Sequence, residues 1–82
     1  MLPYGKISDP AQLGSAVRAK RKALGIRQVE VAGLAGVGVR FLSELERGKA
    51  TLELGKVLRV LERLGLELWI SPRGASGAGA AR

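Results

Sequence analysis

This chain of 82 residues contains neither cysteine nor histidine. Without cysteine it has no disulfide framework, no thiol nucleophile and no cysteine-based zinc site. Without histidine it lacks the commonest general base and the commonest metal ligand. Its seven carboxylates show no pairing with a nucleophile. We therefore expect a protein that is not an enzyme and has no catalytic residue, metal site or cofactor.

Long apolar runs are also absent. None approaches the ~20 residues that a membrane-spanning helix needs. The first residues, Met1 to Lys6, lack the apolar core of a signal peptide. We expect a single small domain that makes no membrane contact and is cytoplasmic and nucleoid-associated.

Positive charge is what the chain has in excess. Lysine and arginine number 14 against 7 acidic residues, which gives a net charge of +7. Such an excess on a small domain favours a polyanionic partner, most often nucleic acid, with simple solubility as the alternative. The cations at Arg18 and Lys20–Lys22 either contact phosphate or form a solvated face near a helix C-terminus.

Residues 26–49 have the pattern of two short helices joined by a tight turn. This is the helix-turn-helix arrangement, whose second helix enters the major groove of DNA. Gly36 suits the left-handed conformation that ends the first of these helices, and Gly38 can cap the second. A helical hairpin in any small bundle is the alternative. The residues predicted to face the core are Ile26, Val31, Ala32, Ala35, Val37, Leu42 and Leu45.

Four helices are predicted in all. Asp9 can cap the first, and Pro10 fits its first position. The predicted spans are Pro10 to about Leu24, Arg27–Ala35, Val39–Arg47, and Thr51 or Glu53 to Leu64. The first and fourth helices are each predicted to have one side that faces the core. In the first helix these residues are Leu13, Ala16, Val17, Leu24 and the stem of Arg21, and in the fourth they are Leu54, Val57, Leu58, Leu61 and Leu64.

Residues 66–71 change to the two-residue period of a strand, with Leu66, Leu68 and Ile70 on one side and Trp69 on the other. A lone strand leaves its backbone groups unpaired. Its partner is either the same strand of a second copy or the N-terminal segment Tyr4–Ile7. Trp69 either lies in an interface or packs on the chain's own helices. The predicted dimerisation residues are Leu66, Leu68, Trp69 and Ile70.

Three parts of the chain are predicted. Residues 1–8 form an N-terminal arm, and residues 9–71 form the DNA-binding domain with its dimerisation strand. Residues 72–82 are rich in glycine, alanine and serine and are expected to be a flexible tail. The tail is either a functionless terminus or a contact for a partner protein.

The chain resembles the Xre/Cro-like helix-turn-helix regulators over about residues 13–66, most specifically at Gln28, Ala32, Gly36–Val37 and Leu45–Lys49. Residues 35–42 and 56–61 look like the HipB-type antitoxins. The resemblance implies a mainly α, lambda-repressor-like four-helix domain whose C-terminal strand pairs across a homodimer. It also implies repression of its own operon and binding of a HipA-type serine/threonine kinase toxin.

The start of the third helix is expected to face base edges. Arg40 can donate two parallel hydrogen bonds to guanine, and Val39 can touch a thymine methyl group. Glu44 can accept from a cytosine amino group, or it can pair with Arg40 or Arg47 and so orient Arg40. Phe41 is predicted to pack between helices. The predicted base-contacting residues are Val39, Arg40, Ser43 and Glu44.

Phosphate contacts are expected from helix ends and from the loop after the third helix. The resemblance implies that Gln28 contacts a phosphate and braces the recognition helix. Lys49 either contacts phosphate or is merely exposed. Arg59 and Arg63 are predicted to face solvent or a partner. The predicted phosphate-contacting residues are Arg27, Gln28, Arg47, Lys49 and Thr51.

The sequence therefore predicts a sequence-specific repressor that binds an inverted-repeat operator in double-stranded DNA as a homodimer. A HipA-like serine/threonine kinase toxin is its expected protein partner. Two alternatives of the same class are a stand-alone Xre-like regulator and an antitoxin to a different toxin. A protein-interaction module without specific DNA binding is the alternative of another class.

Overall fold

The computed structural model describes residues 4–74, so residues 1–3 of the predicted arm and residues 75–82 of the predicted tail lie outside the described range. The four helices of this range are α1 Pro10–Ala23, α2 Gln28–Ala35, α3 Val39–Glu46 and α4 Leu54–Arg63. Helix α1 packs against α3, and α2 packs against both α3 and α4. None of the helices in residues 4–74 is long and apolar enough to cross a membrane.

Local chemistry sets the helix ends, as the sequence predicted. The Asp9 carboxylate accepts a hydrogen bond of 2.9 Å from the backbone N–H of Gln12 and so caps α1. Helix α2 begins at Gln28, one residue later than predicted, because Arg27 is its N-cap in an extended conformation. Gly36 ends α2 with a φ of 70°, which is the left-handed conformation that glycine adopts without strain. All four predicted helices are confirmed.

The core lies where the four helices meet, and Leu42, Val17 and Val60 are completely buried in it. Phe41, Ile26 and Val37 pack partly buried against this core, as predicted. The buried hydrophobic residues are Ala16, Val17, Val31, Ala32, Ala35, Leu42, Leu45, Val57, Val60, Leu61 and Leu64.

Three leucines predicted to face the core are exposed instead. Leu24 is 50% exposed because it is the C-cap of α1 and lies beyond the last helical turn. Leu54, at the first position of α4, is 64% exposed, and Leu58 on the flank of that helix is 41% exposed. The inward stripe of α4 is instead centred on Val57, Val60, Leu61 and Leu64.

A close backbone contact joins α1 to the C-terminal end of α3. A Cβ atom added at Gly14 would lie 2.4 Å from the carbonyl oxygen of Leu45 and 2.7 Å from that of Glu46. Such distances are far inside van der Waals contact, so only glycine lets the two backbones approach this closely. No local pattern in the sequence marks Gly14, because its role depends on neighbours more than 30 positions away, Leu45 and Glu46.

Residues 66–71 follow α4 and, like the rest of residues 4–74 outside the helices, are not in a strand of this single chain. Leu66 packs against the core, whereas Leu68, Trp69 and Ile70 are 51%, 68% and 88% exposed. The alternative partner, Tyr4–Ile7, forms no ladder with this segment in the described chain. Pairing with a second copy stays a prediction, since only one copy is present.

Candidate nucleic-acid interface

One carboxylate fixes the C-terminal end of α3 to two other helices. Glu46, the last residue of α3, accepts hydrogen bonds from Arg21 Nε at 2.6 Å and Arg21 Nη2 at 3.1 Å. Gln28, the first residue of α2, donates from Nε2 to the same carboxylate at 3.0 Å. Arg21 also donates to the carbonyl of Ile26 at 2.9 Å. The network thereby fastens α3 to α1, α2 and the loop between them.

This network is almost closed to solvent. The side chains of Arg21 and Glu46 are 12% and 4% exposed. Burial opposes the ionisation of Glu46, but the hydrogen bonds from Arg21 and Gln28 outweigh it and hold the pKa of that carboxyl below its ordinary value. The hydrogen bond to Glu46 likewise raises the pKa of Arg21. The sequence predicted a buried Arg21 stem, which is confirmed. It also predicted that the Arg21 cation contacts phosphate or lies on a solvated face, which is wrong, because the guanidinium is buried against Glu46, for which the sequence indicated no partner.

The opposite end of α3 is open. Val39 is 46% exposed, and the Arg40 side chain is 88% exposed. Ser43 and Glu44, one turn later, are half-buried. All four predicted base-contacting residues thus lie on α3, with Val39 and Arg40 reaching furthest into solvent.

Glu44 pairs with two cations at once. Its Oε2 lies 3.4 Å from Arg40 Nε, and its Oε1 lies 3.3 Å from Lys49 Nζ. The predicted pair with Arg40 is therefore confirmed, while Arg47 does not take part in it. Lys49 replaces Arg47 because its backbone N–H bonds to the Glu44 carbonyl at 3.0 Å, which folds the loop back beside the helix.

The predicted phosphate-contacting residues lie at the N-terminus of α2 and after the C-terminus of α3. Arg27 is the N-cap of α2 with its side chain 78% exposed, 3.7 Å from the Glu30 carboxylate. Gln28 is half-buried because its amide is drawn towards Glu46. The remaining three residues of the set, all exposed, are Arg47, Lys49 and Thr51.

Arg59 is exposed, as the sequence predicted, and it also has a role that the sequence did not indicate. From α4 it donates through Nε to the carbonyl of Ala35 at 3.0 Å and through Nη2 to that of Gly36 at 3.3 Å. Carbonyls at the end of a helix lack partners within the helix, so Arg59 caps α2 from outside. No pattern in the sequence connects Arg59 to a turn 23 or 24 positions earlier.

The pattern of the helix-turn-helix family matches residues 17–68, which include α2, α3 and the turn between them. The chain belongs to the helix-turn-helix family. A curated relative of this family member is the uncharacterized HTH-type transcriptional regulator y4mF of Sinorhizobium fredii (strain NBRC 101917 / NGR234). The two are 51% identical over 63 residues, which cover 77% of this chain and 83% of the relative.

Solved structures share the fold of this helix-turn-helix protein. HipB in complex with an O4 20mer superposes with a TM-score of 0.77 at 26% identity, over 85% of this chain and 99% of that one. A chain of the HipA-HipB-O2-O3 complex gives the same values. The restriction-modification controller protein C.AhdI from Aeromonas hydrophila has a TM-score of 0.65 at 29% identity, covering 72% of this chain and 86% of that one. The predicted likeness to HipB is confirmed.

Proposed function

We propose that this helix-turn-helix transcriptional regulator is a homodimeric, operator-specific repressor and a HipB-type antitoxin. The arrangement of α3 carries the DNA-binding part of the proposal. Its C-terminal end is fastened by Arg21 and Gln28 through Glu46, while its N-terminal end holds the Arg40 side chain 88% exposed. A helix that is held rigidly at one end and presents an exposed guanidinium at the other is suited to reading base edges in the major groove.

Base recognition is assigned to the open face of α3. Arg40 Nη1 and Nη2 can donate in parallel to O6 and N7 of a guanine, and Val39 can contact a thymine methyl group. Ser43 and Glu44 line the following turn. The pair with Arg40 and Lys49 favours an orienting role for Glu44 over direct acceptance from cytosine.

Phosphate contact is assigned to the exposed cations on either side of α3. Arg27 lies at the start of α2, where backbone N–H groups also favour an anion. Arg47, Lys49 and Thr51 follow the end of α3 and would reach the adjoining backbone. Gln28 donates one N–H of its amide to Glu46, and the amide has a second N–H that can serve a phosphate.

A second copy of the chain is the proposed occupant of the apolar surface at the C-terminal end of α4. An open groove of about 440 Å³ lies there, lined by Leu58, Leu66 and Leu68 among others. Next to it in sequence, Trp69 and Ile70 are largely exposed. Antiparallel pairing of residues 66–71 from two copies would satisfy the free backbone groups and cover these side chains.

A HipA-like serine/threonine kinase toxin is the proposed protein partner. The likeness to a chain of the HipA-HipB-O2-O3 complex supports this part of the proposal. The likeness to the controller protein C.AhdI supports the second candidate, a stand-alone regulator without a toxin partner. Co-purification of this chain with the product of a neighbouring kinase gene separates the two, since a stand-alone regulator would be recovered alone.

Arg40→Ala tests the reading of DNA sequence. The preferred duplex is first selected from a random library by the wild-type protein. The substitution is expected to cost about 1–3 kcal/mol on that duplex and far less on duplexes of random sequence, because a base contact is lost. Fluorescence anisotropy on both duplexes measures the difference. An equal loss on both would assign Arg40 to phosphate, and a wild-type protein without any preferred sequence would contradict the proposed function.

A further inference from the structure

Glu44 differs from the other two acidic side chains on the helix-turn-helix pair. Glu30 accepts from the backbone N–H of Arg27 at 2.7 Å, and Glu46 is buried in the network with Arg21. Glu44 instead lies on the surface proposed to meet DNA, here called the recognition surface, which consists of the open face of α3 and Lys49 beside it. There its side chain is 19% exposed and lies between the cations of Arg40 and Lys49. A carboxylate on a surface that must approach phosphates weakens DNA binding, because the two negative charges repel each other. Its position there therefore calls for an effect that offsets this repulsion.

The carboxylate changes the charge that the recognition surface offers to DNA. Arg40 and Lys49 together carry two positive charges, and Glu44 cancels one of them. Burial opposes ionisation of Glu44, but hydrogen bonds from Lys49 and Arg40 hold its pKa below the ordinary value, so it is charged at neutral pH. A phosphate that binds either cation must therefore compete with this carboxylate.

The pair leaves the base-reading atoms of Arg40 available. Arg40 donates to Glu44 through Nε, and within residues 4–74 its Nη1 and Nη2 donate no hydrogen bond. The fork that guanine accepts uses these two terminal nitrogens. Arg40 can hence bind guanine and keep its bond to Glu44, whereas a guanidinium that swings to a phosphate has to give that bond up.

We infer that Glu44 is a specificity-determining residue, which restrains Arg40 and Lys49 on DNA of the wrong sequence and leaves Arg40 free to read the right one. The inference rests on the proposed function, because it assigns a role within the same DNA surface. Glu44 lowers affinity for random DNA through charge, and it holds Arg40 in the direction that a guanine requires. The ratio of specific to non-specific affinity is the quantity that it raises.

Glu44→Gln tests the charge with the shape of the side chain preserved. Affinity for random duplexes is expected to rise roughly threefold to tenfold, because two cations per protomer are released from a partner. The slope of log affinity against log salt on random DNA is expected to steepen by about one unit per protomer. Affinity for the selected duplex rises less, so the specificity ratio falls.

Glu53→Gln is the matched control. It removes the same charge from another exposed ion pair, Glu53 with Lys56 at 3.1 Å, which involves neither Arg40 nor Lys49. It is expected to leave the specificity ratio within about twofold of the wild type. Equal thermal unfolding of both variants shows that any difference arises at the surface and not from the fold.

NMR of the free protein adds a test that needs no preferred duplex. The Nε–H resonance of Arg40 is expected to move in Glu44→Gln and to stay in place in Glu53→Gln. A specificity ratio that is unchanged or higher in Glu44→Gln overturns the inference while the proposed function stands. If the wild type had no preferred sequence, the proposed function would fail, and the random-duplex affinity and salt slope would still decide whether Glu44 restrains the two cations.

Discussion

Glu46 connects three helices through a single carboxylate, with Arg21 on α1 and Gln28 on α2 as its donors. An ion pair this buried adds little more to the free energy of unfolding than a well-packed apolar pair would. Losing one partner, however, leaves the other charge buried and unpaired, which is strongly destabilising. Its role is therefore geometric. It fixes the direction in which the C-terminal end of α3 points, and through the rigidity of the helix it also fixes Arg40.

Acid titration tests this carboxylate. Since the pKa of Glu46 is lowered by folding, its contribution is present above the unfolded value and is lost as the pH falls through the folded one. The melting temperature of the wild type is expected to drop between about pH 5 and pH 3. Glu46→Gln is expected to lower the free energy of unfolding by about 3 kcal/mol at neutral pH, and the melting temperature with it. The melting temperature of this variant is expected to fall less steeply with acid than that of the wild type.

Circular dichroism at a series of pH values gives both quantities. Glu53→Gln again serves as the control, because its ion pair with Lys56 is exposed and should be worth less than about 1 kcal/mol. An acid dependence in Glu46→Gln as steep as that of the wild type would place the titration on other carboxylates.

Some side-chain contacts could be predicted from the sequence and others could not, and the difference has one physical reason. The pair of Glu44 with Arg40 and the cap by Asp9 depend on neighbours within one turn, and both were predicted. The partners of Glu46 and Arg59 lie 18 to 25 positions away along the chain. Whether such residues meet depends on how the helices cross, which no local pattern encodes.

Gly14 makes the contact of α1 with α3 testable at the scale of helices. Gly14→Ala would bring a methyl group to within 2.4 Å of the carbonyl oxygen of Leu45, and backbone cannot yield without separating the helices. We expect a loss of about 1–3 kcal/mol in the free energy of unfolding. Urea denaturation measures it.

Gly33→Ala is the matched control for Gly14→Ala, because a Cβ at this helical position meets nothing within 4 Å. There the better helix propensity of alanine should stabilise the protein by about 0.5–1 kcal/mol. Equal effects at the two positions would mean that propensity, and not the approach of α1 to α3, decides the outcome at Gly14.

Arg59 allows a second test between helices. Arg59→Met keeps an unbranched apolar stem but removes both donors to the carbonyls of Ala35 and Gly36. A loss of about 1–2 kcal/mol is expected, together with faster amide exchange at the turn that follows α2. Arg63→Met, an exposed change in the last turn of the same helix, should leave both unchanged. Slow exchange at the turn in Arg59→Met would show that the cap is dispensable.

The helices themselves were predictable, because capping residues and glycines mark their ends and apolar spacing marks their inner faces. The outer leucines were not. Leu54 and Leu58 fit an amphipathic pattern, yet only the stripe around Val57, Val60 and Leu61 is buried. The width of the apolar stripe that becomes buried depends on how much of it the adjacent helices cover. That coverage is set by tertiary packing and not by the sequence of the helix itself.

For the whole molecule, Trp69 offers a direct test of dimerisation. It is the only tryptophan of the chain and is 68% exposed in the single copy. Pairing of residues 66–71 across a two-fold axis should shield it. Its fluorescence emission is therefore expected to shift to shorter wavelength as protein concentration rises, in step with the mass from sedimentation equilibrium.

Leu68→Pro supplies the comparison for this experiment. Proline cannot donate a ladder hydrogen bond, so the variant should stay monomeric at concentrations where the wild type is dimeric. Its emission should not depend on concentration. A wild-type chain that stays monomeric with unshifted emission would remove the dimer from the proposal.

At the scale of the whole molecule, the sequence can indicate which segment needs a partner but not which partner it takes. Alternation along residues 66–71 identified a segment in need of a partner, and the exposure of Leu68, Trp69 and Ile70 agrees with that need. The choice of partner lies outside one chain, so neither the pattern nor a single copy decides it.

The bond between Arg21 and Glu46 has a consequence for protein engineering. The segment that holds every residue assigned to DNA in the proposed function, residues 27–51, looks like a unit that could be cut out and grafted onto another scaffold. Transplanted alone, it would carry a carboxylate whose strongest partner had been left behind on α1. A working graft would have to include α1 from Gly14 onward, so a transferable reader of DNA needs at least three helices and not two.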